Sequence, residues 1–338
     1  MNKRLVSVIK YLFFFGLGLF LVWWSLHQIP DAEWNKFKEA LATAHYWLIL
    51  PVFLILSTSH LLRALRWRLL LEPMGYYPSF ANSFFAVMIG YLANLAFPRL
   101  GEVLKCTLLA RYEKIPAEKI VGTIVAERAF DVVCLGLLFL LALILQFDVV
   151  TGSYQNVKTL QSQHHESGSL IKMIILIVLG IAFAGFVLWI LITGKWKALV
   201  QKVKMIIAGI WEGLITARKL KHKAAFVIYT ILIWVLYIGG TWLGFQGTSG
   251  TAAMGAKEAV SSLAFASIGM IITPGGIGAY AFLMAKVLEE NGIEYAIGVA
   301  NGTLQWFAQF LIVVIIGSLC LILLPFYNKN KSKPHESR

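Results

Sequence analysis

One feature recurs along this sequence: apolar runs, most of them long enough to cross a bilayer, separated by short segments that carry the Lys and Arg residues. The runs lie at about 5–26, 46–65, 81–97, 100–112, 118–146, 170–193, 224–246 and 295–325, with a broken one at 258–290. A helix needs roughly 20 apolar residues to span the hydrocarbon core. Composition agrees, with 59% apolar residues and only 14% charged, against about 25% charged in soluble domains. An excess this large has to face lipid, which excludes an ordinary soluble enzyme, a disordered chain and a disulfide-stapled secreted domain. Cys106, Cys134 and Cys320 all sit in apolar stretches. They read as small buried residues, so neither a disulfide framework nor a metal centre is expected.

The net charge of +13 is spread between the apolar runs and at both chain ends. No segment is large enough for a soluble basic module, so nucleic acid is not an expected partner. The charge reads as a topology signal and as attraction to anionic lipid head groups. After Asn2-Lys3-Arg4, the first apolar run ends in Trp24-Ser25-Leu26-His27-Gln28 without a small-x-small cleavage site. We read it as an uncleaved first helix. Residues 194–223 carry Lys195, Lys197, Lys202, Lys204, Arg218, Lys219, Lys221 and Lys223, whereas 147–169 carry only Lys158. The positive-inside rule therefore puts the first loop in the cytoplasm, the second outside, and both chain ends inside. Arg63, Arg66 and Arg68 read as the cytoplasmic flank of the second span.

Counting crossings with these constraints makes 81–112 begin and end inside, broken at Pro98, and makes 258–290 begin and end outside, broken at Thr273-Pro274-Gly275-Gly276-Ile277-Gly278. Pro removes a backbone donor and Gly weakens helix, so both breaks should be unwound. The expected fold is an all-α polytopic membrane protein with six full spans and two re-entrant broken-helix hairpins. Halves of about 5–147 and 170–325 would form an inverted-topology repeat, an arrangement that points to a transport site near the midplane. Residues 199–217 and 31–44 are expected to lie along the two membrane faces as interfacial helices. Residues 326–338 form a basic cytoplasmic tail.

Ionisable residues at membrane depth are costly and default to function. Glu127 and Asp131 stand one turn apart on the helix over 118–146, and Arg128 reaches Asp131 at i+3. Such a stripe suits a water-accessible cavity holding a charged head group, or a self-neutralising network that pins helices. Around the first break stand Asn94, Arg99, Glu102 and Lys105, beside a helix starting near Gly101 whose free amides favour an anion. At the second, Thr273 reads as an N-cap before Pro274. The amides of Gly275, Gly276 and Gly278 could then approach a phosphate. No catalytic residue, cofactor loop or metal cluster is expected. His164-His165 has no companions at ligand spacing, and His60 reads as a packed residue near Arg63.

Arg66-Trp67, Asn94 with Pro98-Arg99-Leu100-Gly101-Glu102 and Lys105, Arg111, Glu127-Arg128-x-x-Asp131, and Pro274-Gly275-Gly276-Ile277-Gly278 occur in this order. Together they resemble the lysylphosphatidylglycerol synthase transmembrane region, the flippase-like membrane half of lysyl-phosphatidylglycerol synthetase/flippase proteins. The likeness covers about 5–325. Lys105 stands where Arg is expected, and Ala281 where many members carry Glu. No aminoacyl-transferase domain is present in the sequence. The resemblance therefore implies movement or recognition of a phospholipid or lipid-linked substrate in a bacterial inner membrane, and it does not imply synthesis. The competing reading is a membrane-embedded transferase, or partner of one, acting on a lipid- or polyprenyl-linked substrate.

Overall fold

The computed structural model describes residues 3–97, 100–147 and 220–329. Among them every regular element is helical. The helices are α1 (Lys3–His27), α2 (Trp34–Ala42), α3 (Ile49–Leu71), α4 (Phe80–Ala96), α5 (Leu100–Glu113) and α6 (Ala117–Leu145). They continue with α7 (Lys223–Phe245), α8 (Ala256–Ile272), α9 (Ala279–Glu290) and α10 (Tyr295–Lys329). Local chemistry sets several starts. Ser79 caps α4 by accepting from the Asn82 amide, Pro116 precedes α6, and Glu258 accepts from the Gly255 amide at 2.8 Å to open α8.

Four described segments are long and apolar enough to cross a membrane: Tyr46–Met74, Ala117–Leu145, Lys223–Phe245 and Tyr295–Lys329. A fifth is added if α1 and α2 are taken together across their 87° bend. The chain is thus a multi-pass membrane protein. The expected span at 170–193 and the interfacial helix at 199–217 lie outside the described residues.

Both broken segments are helix–break–helix hairpins. Helices of 17 and 14 residues in α4–α5, and of 17 and 12 in α8–α9, fall short of a full crossing. Gly101 makes the first hairpin possible, because a Cβ there would collide with the Gly90 carbonyl and with Asn94. The hairpins open at opposite ends of α6, which is about 43 Å long at 1.5 Å per residue. At one end Asn82 of α4 meets Asn328 of α10. At the other, Gln146 after α6 meets Asn291 after α9, and Val260 and Leu263 of α8 pack with Leu138 and Ala142. The two tips touch between these ends, with Leu95 of α4 against Gly275. α3 packs on α7, α4 on α10, and α8 on α6.

Candidate functional site

The largest concentration of buried charge lies where α3, α5 and α6 meet. Helical spacing puts Arg63 and Arg66 one turn apart on α3 and Glu127 and Asp131 one turn apart on α6, so the two pairs face each other. Arg63 Nη1 donates to Asp131 Oδ2 at 2.8 Å, and Arg66 Nη2 to Asp131 Oδ1 at 2.7 Å. Both guanidinium groups are 3.8 Å from Glu127 Oε1, and Lys105 Nζ of α5 donates to Glu127 Oε2 at 2.5 Å. All four carboxylate oxygens are therefore engaged by cations. Arg66 is 0% exposed and Glu127 2%. Aromatic faces complete the enclosure: Lys105 Nζ lies 4.1 Å from the Trp67 ring, and Arg63 lies against Tyr91 and Tyr237. Trp67 is itself fixed by donating to Thr123 Oγ1 at 3.0 Å.

Two sequence expectations change here. Arg63 and Arg66, which read from the sequence as a cytoplasmic flank, are both buried partners of the acidic pair. Only Arg68 remains at the helix end, its Nε donating to the Pro78 carbonyl at 2.9 Å. Arg128 does not reach Asp131. It donates instead to Glu102 Oε1 at 2.7 Å, with its side chain 49% exposed. The missed signal is the matched spacing: Arg63-x-x-Arg66 can answer Glu127-x-x-x-Asp131 only if both helices bury the same faces.

A cavity of about 10 Å³, room for a single water, lies beside the network and is lined by Tyr91, Asn94, Glu102, Lys105, Glu127 and Arg128 among others. The first break thus brings Asn94, Glu102 and Lys105 to the same place as Glu127 and Arg128, while Asp131 sits one turn further along. Asn94 Oδ1 accepts from the Gly101 amide at 2.7 Å and so occupies one of the donors at the start of α5. Three groups in this region are buried without a hydrogen-bond partner: Arg63 Nε, Arg66 Nε and Glu102 Oε2. Arg99 lies outside the described residues.

The second break departs from expectation. Thr273 is no N-cap: its hydroxyl donates back to the Gly269 carbonyl at 3.2 Å. Pro274–Gly276 form a single 3-10 turn, and the next helix starts only at Ala279. The Gly276 amide is bonded to the Thr273 carbonyl. Gly275, Gly276 and Gly278 have φ values of +60°, +76° and +71°, which is the requirement that selects glycine. A Cβ at Gly278 would also meet the α1 backbone at Val22 N, 2.7 Å away. Trp306 of α10 donates to the Gly275 carbonyl at 2.8 Å. Positive φ and close packing account for the glycines, and the Gly276 amide is already taken. Thr273 and these glycines are not brought to the charged cluster.

The second half holds a polar network of a different kind. Asn301 Nδ2 lies within 2.5–3.0 Å of the Gly244 carbonyl and the Thr248 and Thr251 hydroxyls. Gln305 Nε2 donates to Asn301 Oδ1 at 2.8 Å. Beside Ala281, α9 and α10 approach closely: a Cβ on Gly302 would lie 2.9 Å from the Ala281 backbone, so position 302 has no room for a side chain.

The sequence comparisons agree with this architecture. The family model for the lysylphosphatidylglycerol synthase TM region matches residues 7–317. A UPF0104 membrane protein, MJ1595, from Methanocaldococcus jannaschii is 23% identical over 300 residues, covering 85% of this chain and 87% of that protein. No solved structure matches the chain. The chain thus belongs to the lysylphosphatidylglycerol synthase transmembrane-region family.

Proposed function

We propose that the protein moves a phospholipid, or another lipid-linked substrate with an anionic head group, between leaflets. The head group would travel through the charged interior between α3, α5 and α6 while the acyl chains stay in lipid. The observation that carries this reading is the Lys105–Glu127–Arg63–Arg66–Asp131 network with its adjoining cavity, beside a hairpin tip rather than at a helix end. Ionic groups at that depth are retained for pathways and relays more often than for stability. Counting Arg128 and Glu102, four cations face three carboxylates, a surplus that favours an anion. Glu127 and Asp131 are already held by cations, so neither offers an unengaged acid or base to the transferase reading.

In this proposal the protein has six full spans arranged as an inverted repeat, with the span at 170–193 completing the second half. The end marked by Asn82 and Asn328 is cytoplasmic, as are both termini, and the host membrane is a bacterial inner membrane. The packing of α4 on α10, mirrored by α8 on α6, supports the repeat. The test is reconstitution into vesicles of phosphatidylglycerol and phosphatidylcholine with a head-group-accessible fluorescent lipid. Quenching of the inner-leaflet label faster than in protein-free vesicles is the expected result. Quenching at the protein-free rate with folded protein would overturn the proposal.

A further inference from the structure

The bend between α1 and α2 forms a concave elbow away from the charged cluster. The sequence carries no charged residue from Tyr11 to Leu26, and then Asp31, Glu33, Lys36, Lys38 and Glu39 follow closely. The chain turns by 87° at that change of polarity, which puts the elbow where hydrocarbon gives way to head groups. Inside it lies a cavity of about 480 Å³, open on one side and lined by Trp23, Leu26, His27, Asp31 and Trp34 among others. The elbow is fastened to the start of α10. Ser25 and Tyr295 share a hydrogen bond of 3.0 Å, and Lys36 Nζ donates to Glu294 Oε1 at 2.6 Å. Leu26, Ile29 and Trp34 pack with Tyr295 and Ala296.

The lining has the chemistry of a cation site. It contains no Lys or Arg, so an anion finds no fixed positive charge there. Two indoles contribute to its wall, and the His27 ring stacks on that of Trp23 at 5.2 Å and 9°. Indole is the side chain that best attracts an ammonium group. Asp31 is exposed and makes no ion pair or hydrogen bond with the described residues. Lys36, the next cation along the chain, is taken by Glu294. Glu33, on the same 3-10 turn as Asp31, adds a carboxylate whose Oε2 is buried without a hydrogen-bond partner. Indoles that only mark the membrane interface need neither a cavity nor an unpaired carboxylate beside them. Trp24 is of that simpler kind, exposed on the same helix and outside the lining.

We propose that this elbow binds the ammonium group of a phospholipid head group, with Asp31 as its counter-charge and Trp23 and Trp34 as its aromatic walls. Leu26 and Ile29 give the methylene groups beside the ammonium an apolar floor. The depth of the elbow selects a lipid over a free amine, since the head-group layer holds such groups at high local concentration. The assignment does not rest on the transport reading, because no residue of the elbow lines the cavity beside Glu127.

The test uses the full chain, labelled with fluorinated tryptophan, in nanodiscs of phosphatidylglycerol. Fluorine NMR follows the resonances of Trp23, Trp24 and Trp34, each assigned by its replacement with Phe, as phosphatidylethanolamine replaces part of the phosphatidylglycerol. Trp23 and Trp34 should shift saturably while Trp24 stays in place. Asp31→Asn and Trp23→Leu should each raise the midpoint of the Trp34 shift about five- to tenfold, and Trp24→Leu should leave it unchanged. All three positions are exposed, so these variants keep the fold. A second arm adds soluble ethanolamine to discs of phosphatidylglycerol alone. A shift with ethanolamine but none with phosphatidylethanolamine would contradict the lipid assignment. Trp24 shifting in step with Trp23, or an Asp31→Asn midpoint equal to the parent's, would reduce the elbow to an ordinary aromatic belt and overturn the site.

Discussion

The two halves of the molecule each bury a polar pair, four residues apart, on their last long helix, and they use it in opposite ways. On α6 the pair is Glu127 and Asp131, answered by Arg63, Arg66 and Lys105. On α10 it is Asn301 and Gln305, answered by hydroxyls and backbone carbonyls of α7 and the turn after it. The neutral network is satisfied within itself and fastens α7 to α10. The charged one has a surplus cation, orphaned buried atoms and a cavity at its edge. Ions cost several kcal/mol each to take out of water, so a network serving only as a fastener would be expected to resemble the neutral one. That contrast supports the proposal that the head-group site lies in the first half.

The contrast can be broken most severely at Asp131. Asp131→Asn leaves Arg63 and Arg66 without their shortest partner, and should lower stability by about 3–5 kcal/mol, seen as a collapse of detergent yield and melting temperature. Asn301→Ala on the neutral side should cost less, about 1–3 kcal/mol for the hydroxyls and carbonyl left unpaired. Lipid movement per folded molecule should stay unchanged. A larger loss than at Asp131 would reverse the assignment of the two networks. Gly302→Val, where even a Cβ would press on the Ala281 backbone, should cost about 1–3 kcal/mol through overpacking, read from the same melting curves. Arg128→Gln is the mildest for the fold, because its pair with Glu102 is partly exposed. Stability should fall by no more than about 1 kcal/mol while transport of an anionic lipid slows, sharpening the distinction between holding the fold and holding the head group.

Much of this architecture is legible in the sequence, for a physical reason. Lipid forces each span to be apolar over a fixed length, and Pro98 and Pro274–Gly278 can only interrupt a helix, so both hairpins and the end of α6 that carries charge are visible in one dimension. Glu127, Lys105 and Asn94 stand out because polar residues at that depth are rare. Arg63 and Arg66 do not. In the sequence they read as the flank of an apolar run, where Arg is ordinary, and only the three-dimensional register of α3 against α6 buries them. The glycines after Pro274 mislead in the opposite direction. Their pattern fits an anion-binding turn, but positive φ and contact with α1, α4 and α10 account for them.

Removing the central pair as a unit separates the two roles most directly. Lys105→Met with Glu127→Gln deletes one positive and one negative charge together, leaves no new isolated ion, and keeps volume nearly constant beside Trp67. If the network carries the head group, the double variant should melt within about 1 kcal/mol of the parent, as buried pairs replaced whole often do, and lose fluorescent-lipid movement in the reconstituted vesicles. A double variant that is stable and moves lipid at the parental rate would contradict the account.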